Sequence, residues 1–368
     1  MLKFHMPTKI LIGEECVTEN ARELILGKRA LIVTGKTSGE KSGALYDVVK
    51  ILENEKIPYH VYDKIKNNPE INDMATGGRF ANECGCDFII AIGGGSPMDA
   101  AKAISVYATN VPRENSDFEL YDIFKGQYKN KPLPMVAIPT TAGTGSEVTP
   151  YSILTLHKEQ TKKSFTCVDC FFKVAFLDGR YLQNLPLQVI RNTAVDAMCH
   201  LIEGYTNKKA SMVSDALAQE GLVVFGKHLD KLVSGELTVG DYTELLWAST
   251  LGGIVISQTG TTIVHSMGYE LTYFKDIPHG MANGYLVYEY LKRVDRKRMA
   301  KCIYSLGLGS LEEFKEFLEN VLPRVNNFAE NDLEKWVDIS IKARNVASCP
   351  FPVTRELELE IYKNSLLN

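Results

Sequence analysis

Apolar positions follow two rhythms along this chain, and the rhythm changes near residue 180. In the first part, short apolar runs bounded by glycine or proline alternate with longer segments. Arg29 to Thr34 (RALIVT) and Asp87 to Gly93 (DFIIAIG) read as strands buried on both faces. Pro58 to Asp63 (PYHVYD) and Leu133 to Pro139 (LPMVAIP) read likewise, and Lys173 to Asp178 (KVAFLD) looks like the last strand. Between them, ALYDVVKILENE and INDMATGGRFANE place apolar residues three and four apart, the spacing of a helix face. Strands and helices in alternation predict an α/β domain with a parallel sheet. Beyond residue 180 the segments LQVIRNTAVDAMCHLIEGY, SDALAQEGLVVFGKHL, YTELLWASTLGGIVIS, LEEFKEFLENVL and DLEKWVDISIKARNVA are helix-periodic, with no convincing strand. The expected organisation is an α/β domain over 1–180 and an all-α domain over 181–368. Arg113 to Lys131 is the most loop-like stretch.

Composition adds bounds. A length of 368 residues with 45% hydrophobic content supports a sizeable core and two domains. Forty-one basic against 45 acidic residues, net charge -4, give no footprint for nucleic acid or an anionic membrane. No apolar run approaches the ~20 residues of a membrane span. MLKFHMPTKILIG lacks a signal-peptide core and is expected to be mature sequence. Eight scattered cysteines, with close pairs only at Cys84/Cys86 and Cys167/Cys170, read as reduced, packed thiols in the cytoplasm.

Two loops suit phosphate. Gly93, Gly94, Gly95 and Ser96 close a strand and open a helix, with Pro97 at a first-turn position and Asp99 and Lys102 just beyond. Glycines let the backbone approach an anion, and a helix start offers free N–H groups and the positive end of a dipole. The next strand ends in PTTAGTGSE, where Thr140, Thr141, Thr144 and Ser146 supply hydroxyl donors for the same pyrophosphate. Neither loop is the G-x-G-x-x-G fingerprint. A third loop follows RALIVT. An acidic residue there would bind a ribose 2′-hydroxyl and repel a 2′-phosphate, but this chain has Gly35, with Ser38 and Lys41 nearby. That choice favours NADP(H) over NAD(H). The first domain is therefore expected to bind a dinucleotide.

The second domain carries candidate metal ligands. Asp196 and His200 lie four apart on one helix face, and His265 and His279 follow. Imidazole and carboxylate suit a borderline divalent ion: Fe2+ or Zn2+, with Ni2+ and Co2+ also compatible. His5, His60, His157 and His228 have no evident partners.

The segments GGGSPMDAAKA, PTTAGTGSEVTPYSI, AVDAMCHLIEGY and VHSMGYELTYFKDIPHGMANG together resemble the iron-containing, group III alcohol dehydrogenases of the dehydroquinate-synthase-like fold, across essentially the whole chain. The resemblance is nearest to NADP-using butanol and 1,3-propanediol dehydrogenase-like members. It implies metal ligation by Asp196, His200, His265 and His279. It also implies cofactor contacts at Gly93 to Ser96, Asp99, Thr140, Thr141, Thr144 and Ser146, at Asn68 near the adenosine, and at Lys162 or Lys163 on a ribose. A homodimer is implied as well. Many members have a histidine where this chain has Tyr269; it orients the nicotinamide region or relays a proton. A tyrosine ordinarily titrates near ~10 and is a poorer base, so Tyr269 is either a proton-relay hydroxyl or a packing wall.

The expected reaction is hydride transfer between nicotinamide C4 and a small primary alcohol, diol or aldehyde. Tyr151, Phe165, Tyr269 and Phe274 are candidates for an apolar substrate wall. Two rivals remain: a catalytically altered NADP- and metal-binding protein of this fold, and a cyclase of the dehydroquinate-synthase type.

Overall fold

The computed structural model describes residues 3–110, 119–126, 128–326 and 328–367. Of the loop expected over Arg113 to Lys131, residues 113–118 and 127 lie outside the described residues, and Leu120–Lys125 form a short 3-10 helix instead. The chain forms two compact units, one of Met6–Thr141 and Ser146–Leu185, the other of Met1–His5, Ala142–Gly145 and Pro186–Asn368.

The first unit is built on a six-stranded sheet of β1 (Lys9–Ile12), β2 (Ala30–Gly35), β3 (Tyr59–Ile65), β4 (Phe88–Gly93), β5 (Met135–Pro139) and β8 (Val174–Leu177). The order is β1-β8-β5-β4-β2-β3, and every pairing is parallel. A separate antiparallel hairpin joins β6 (Tyr151–Leu156) and β7 (Thr161–Thr166). The helices of this unit are α1 (Cys16–Glu19), α2 (Ala21–Leu24), α3 (Ser38–Ser42), α4 (Ala44–Asn54), α5 (Ile71–Glu83) and α6 (Gly95–Thr109).

Successive residues of a strand face opposite sides, and both sides here are covered. Leu31, Val33, Ile89, Ala91, Met135 and Ala137 pack with α5 and α6. Ala30, Ile32, Ile90, Ile92, Val136 and Ile138 pack with Val48 and Leu52 of α4. Burial on both faces is why these strands read as continuous apolar runs. From β2 the chain passes through α4 on one face to β3; from β4 it passes through α6 on the other face to β5. The connections thus diverge between β2 and β4, and ligands of open α/β sheets bind at the carboxyl ends of strands at such a switch point. Gly35 and Gly93, singled out above, end those two strands.

The second unit is helical: α7 (Leu187–Thr206), α8 (Met212–Gly226), α9 (Leu229–Ser234), α10 (Val239–Thr259), α11 (Ile263–Lys275), α12 (His279–Leu291), α13 (Arg296–Ser305), α14 (Leu311–Val321), α15 (Glu330–Ser340) and α16 (Arg355–Leu366). Among the described residues no strand follows β8, and no helix is long and apolar enough to cross a membrane. α7 packs against α8, α10 and α12, and every residue from Ala194 to Thr206 is buried. Charged side chains in such a helix need partners.

Another buried carboxylate sits away from that helix. Glu358 of α16 is fully buried, and the Ser340 hydroxyl of α15 donates to its Oε2 at 2.5 Å. Burial pushes this carboxyl up from 4.5 to about 7, against a smaller downward pull from the serine. The folded value lies above the unfolded one, so over this interval the folded chain holds a proton that the unfolded chain has lost. Stability therefore falls as pH rises from about 4.5 to about 7 and stays at the lower level beyond. Glu358→Gln keeps a serine acceptor without the charge. It is expected to raise stability at pH 8 by about 2 kcal/mol and to flatten that fall. Denaturant unfolding of both proteins at pH 5 and pH 8 measures it; equal differences between the two pH values would refute it.

Candidate metal centre and dinucleotide cradle

In the α/β unit, β4 ends at Gly93, whose φ of +145° a side chain would strain, and a Cβ there would lie 2.5 Å from Pro97 Cγ. The turn delivers the backbone into α6, a 15-residue helix whose N-cap Gly94 has no capping side chain. The first N–H groups of α6 are left for an anion. Ser96 turns its hydroxyl to the backbone N–H of Asn68, which donates to it at 3.3 Å. Asn68 in turn accepts at Oδ1 from Lys162 Nζ at 2.8 Å. Lys163 instead reaches Glu159 and the Phe124 ring. Asn68, Ser96 and Lys162, far apart in sequence, thus come together beside the glycine turn.

Asp99 is occupied by the protein itself. Its carboxylate accepts from Ser146 Oγ at 2.7 Å and from the Ile153 N–H at 3.0 Å. Lys102, fully buried, donates to Ser146 O at 2.8 Å, Ser146 Oγ at 2.7 Å, Thr149 Oγ1 at 3.2 Å and Tyr151 O at 2.6 Å. Burial holds its ammonium down at about 8, against the pull of Asp99. These two residues pin the stretch after the threonine loop onto α6. Thr140 is buried and its N–H donates to Gly93 O at 3.0 Å. Thr141 lies against Gly94. Thr144 belongs to the short segment grouped with the helical unit. At the switch point, Gly35 is followed by Ser38 at the start of α3 and by the exposed Lys41, whose carbonyl accepts from Asn184.

In the helical unit, α7 presents Asp196 and His200 one turn apart, α11 presents His265 in its first turn, and α12 begins at His279. All three helices bring their ligands to one place. His200 Nε2 lies 2.8 Å from His265 Nε2. Asp196 Oδ1 lies 3.7 Å from His265 Nε2 and 3.9 Å from His279 Nε2. Ligand atoms of Asp196, His265 and His279 all lie within 4.8 Å of one another. Metal–nitrogen and metal–oxygen bonds run near ~2.1 Å, so separations of this size admit one shared ion.

The protonation states fit too. Burial opposes charge on Asp196, but the rings of His200, His279 and His265 outweigh it and hold the carboxyl below its usual value. Burial pulls His200 down to about 4, leaving a neutral imidazole. The Gly143 carbonyl bears on the same ring. His265 is raised, because Glu203 overcomes the effect of burial. The donor set, one carboxylate and three imidazoles, therefore suits a divalent ion in chemistry and spacing.

Two buried residues that sequence reading missed complete the surroundings. Glu203 faces His265 Nδ1. Asn283 donates Nδ2 to Asp196 Oδ1 at 2.8 Å and stands 3.2 Å from the Nε2 atoms of both His265 and His279. Their only signal was position: Glu203 continues the Asp196, His200 face by three residues, and Asn283 follows His279 by four. Tyr269, partly exposed, stacks on His279 with centroids 5.2 Å apart and planes at 17°, and meets His265 edge-on.

The segment Ala142–Gly145 lies directly on this centre. Gly145, at φ +61°, approaches α10 so closely that a Cβ would fall 2.5 Å from Gly253 Cα. The expected substrate wall is partly corrected. Phe165 is inside the core of the α/β unit, because its place in the hairpin turns it inward. Phe274 is stacked on Trp336. All eight cysteines are free thiols.

Comparison with known proteins follows the same lines. A profile described as iron-containing alcohol dehydrogenase matches residues 7–179, and one described as the C-terminal part of the Fe-containing alcohol dehydrogenase family matches residues 190–366. A solved iron-containing alcohol dehydrogenase from Thermotoga maritima superposes with a TM-score of 0.91 at 36% identity, over 100% of both chains. Lactaldehyde reductase of Escherichia coli K12 is 35% identical over 71% of this chain and 66% of its own length. An NADPH-dependent butanol dehydrogenase of Clostridium saccharobutylicum is 29% identical over 89% of this chain and 84% of its own.

Proposed function

The chain belongs to the iron-containing alcohol dehydrogenase family and is a metal-dependent oxidoreductase of alcohols and aldehydes, and from that premise we propose an NADP(H)-preferring enzyme whose metal ligands are Asp196, His200, His265 and His279. The observation that carries the metal assignment is the convergence of Asp196, His265 and His279 from three helices, with His200 against His265. A divalent ion, Fe2+ or Zn2+, supplies Lewis acidity when bound there, and the nicotinamide supplies or accepts hydride.

The protein's own groups do the rest. The open start of α6 and the Gly93–Ser96 turn take the pyrophosphate. Thr140 and Thr141 lie beside the turn that takes it, and Asp99 and Lys102, through the Ser146 hydroxyl, keep that loop in place. Asn68 and Lys162, already hydrogen-bonded to each other, take the adenosine side. Tyr269 braces the His279 ring by stacking, and it also forms one wall for a small alcohol, diol or aldehyde. The same reading places the enzyme in the cytoplasm as a homodimer.

Metal analysis of the purified protein, with NADPH oxidation followed across short-chain aldehydes, tests the proposal. Bound NADPH and metal without turnover would instead favour a catalytically silent member of the fold. Coenzyme choice has its own test. A Cβ at Gly35 would sit 2.8 Å from Ser38 Oγ, the movable tip of a side chain, so Gly35→Asp can be accommodated. The new carboxylate should lower the NADPH to NADH ratio of kcat/KM by roughly tenfold or more, through repulsion of the 2′-phosphate. An unchanged ratio would remove this loop from coenzyme selection.

A further inference from the structure

We propose that Glu203 is the positioning residue of the metal centre, setting both the rotation of His265 and the charge the site accepts. The inference rests on the metal reading above. Asp196, His200 and Glu203 occupy positions i, i+4 and i+7 of α7, one face of a helix buried all round. Glu203 is fully buried. Its Oε1 accepts from the Thr262 N–H at 2.8 Å and from the Thr262 hydroxyl at 2.6 Å. Its Oε2 faces His265 Nδ1.

Thr262 is the N-cap residue of α11, yet its side chain makes no cap of its own. A carboxylate from α7 has taken over that task. One oxygen fixes the start of α11, and the other holds the ring of the third residue of the same helix. Glu203 therefore determines where α11 begins and how His265 is turned within it. With the Nδ1 hydrogen bound to a carboxylate, the lone pair of His265 remains on Nε2, the nitrogen that faces His200, Asp196 and Asn283. Carboxylate–imidazole pairs of this kind fix the tautomer and raise the basicity of a ligand.

Charge gives Glu203 a second role. The described partners of Asp196 and Glu203 are histidines, an asparagine and a threonine; none is a lysine or arginine. Two buried carboxylates thus face imidazole, amide and hydroxyl groups, with no fixed cation among their described partners. A divalent cation bound at Asp196 makes the pair electroneutral, and a monovalent one leaves an uncompensated charge in the interior.

Glu203→Gln separates these roles. A glutamine that still accepts from Thr262 through its oxygen turns its amide N–H groups toward His265 Nδ1. The ring then accepts there and carries its hydrogen on Nε2, where the ion should bind. Affinity for Co2+ and Zn2+, from chelator competition on the metal-stripped protein, is expected to fall 10- to 100-fold, and the visible Co2+ spectrum to change. Unchanged affinity overturns the proposal, as does a lower melting temperature of the metal-free protein with unchanged affinity, the signature of a merely structural role. Glu203→Asp keeps the charge but falls one methylene short, and it serves if the glutamine variant does not fold. At least a tenfold loss of affinity is expected from it, and none would again overturn the proposal. A wild-type protein that takes up no Co2+ or Zn2+ refutes the metal reading itself, a different outcome from either.

Discussion

Replacing His279 by alanine is expected to strip the divalent ion from the protein and to lower turnover by about a thousandfold or more, while NADPH continues to bind. The ring nitrogen of His279 reaches to within 3.9 Å of Asp196 Oδ1. Losing one of four proposed ligands weakens a site whose remaining donors are already committed: His265 to Glu203 and Asp196 to Asn283. A Lewis acid contributes several kcal/mol at the developing charge, and about 4 kcal/mol corresponds to a factor of a thousand. The fold should survive, because His279 opens α12 and its side chain is 24% exposed, so truncation leaves a dent rather than a sealed cavity. Coenzyme binding should survive because the Gly93 turn and its partners belong to the other compact unit. Metal content, single-turnover rate and NADPH fluorescence, measured on the same sample, check the three parts. Full turnover by a metal-free variant would end the proposed mechanism.

Replacing Lys102 by methionine should produce the largest loss of stability, about 3–5 kcal/mol. The ammonium makes four hydrogen bonds and stands 3.8 Å from Asp99 Oδ1. Methionine fills much of the same volume, so the loss comes from the acceptors left behind. The carbonyls of Ser146 and Tyr151 lose their donor, and the Asp99 carboxylate loses its strongest cationic partner. Burial already raises Asp99, and removal of Lys102 takes away the strongest opposing influence. Because the same bonds hold the chain after the threonine loop, the variant should also bind NADPH more weakly while retaining its metal. Chemical unfolding and coenzyme titration measure the two losses. Wild-type stability would show that Lys102 is not the tie inferred from its contacts.

The sequence was legible where the physics is local or repetitive. Five strands of the main sheet lie at or within two residues of where apolar runs place them, because burial on both faces leaves a continuous signal. β1 was missed because four residues in a strand at the sheet edge give no such run. The β6–β7 hairpin was missed because Thr161–Thr166 is polar at most positions, and its pairing partner decides its form. Asp196 and His200 announce themselves by their spacing. Glu203 does not: a lone glutamate in an apolar helix has many explanations until His265, 62 residues away, is seen beside it. Asp99 shows a different limit. Its place next to the glycine turn suggests a ligand contact, while its carboxylate is bonded to Ser146 and Ile153.

The short segment Ala142–Gly145 has a consequence for modularity. It groups with the helices, although the chain on either side of it groups with the sheet. The helical unit is therefore not one uninterrupted stretch of the gene. A fragment starting at Pro186 would carry every proposed metal-ligand position yet lack the backbone that rests on Gly253 and the carbonyl that bears on His200. Chimeras between relatives joined once near residue 186 would inherit this loop from one parent and its seat from the other. A clean exchange of the helical unit requires three junctions more: one after the first residues of the chain and one on each side of the loop.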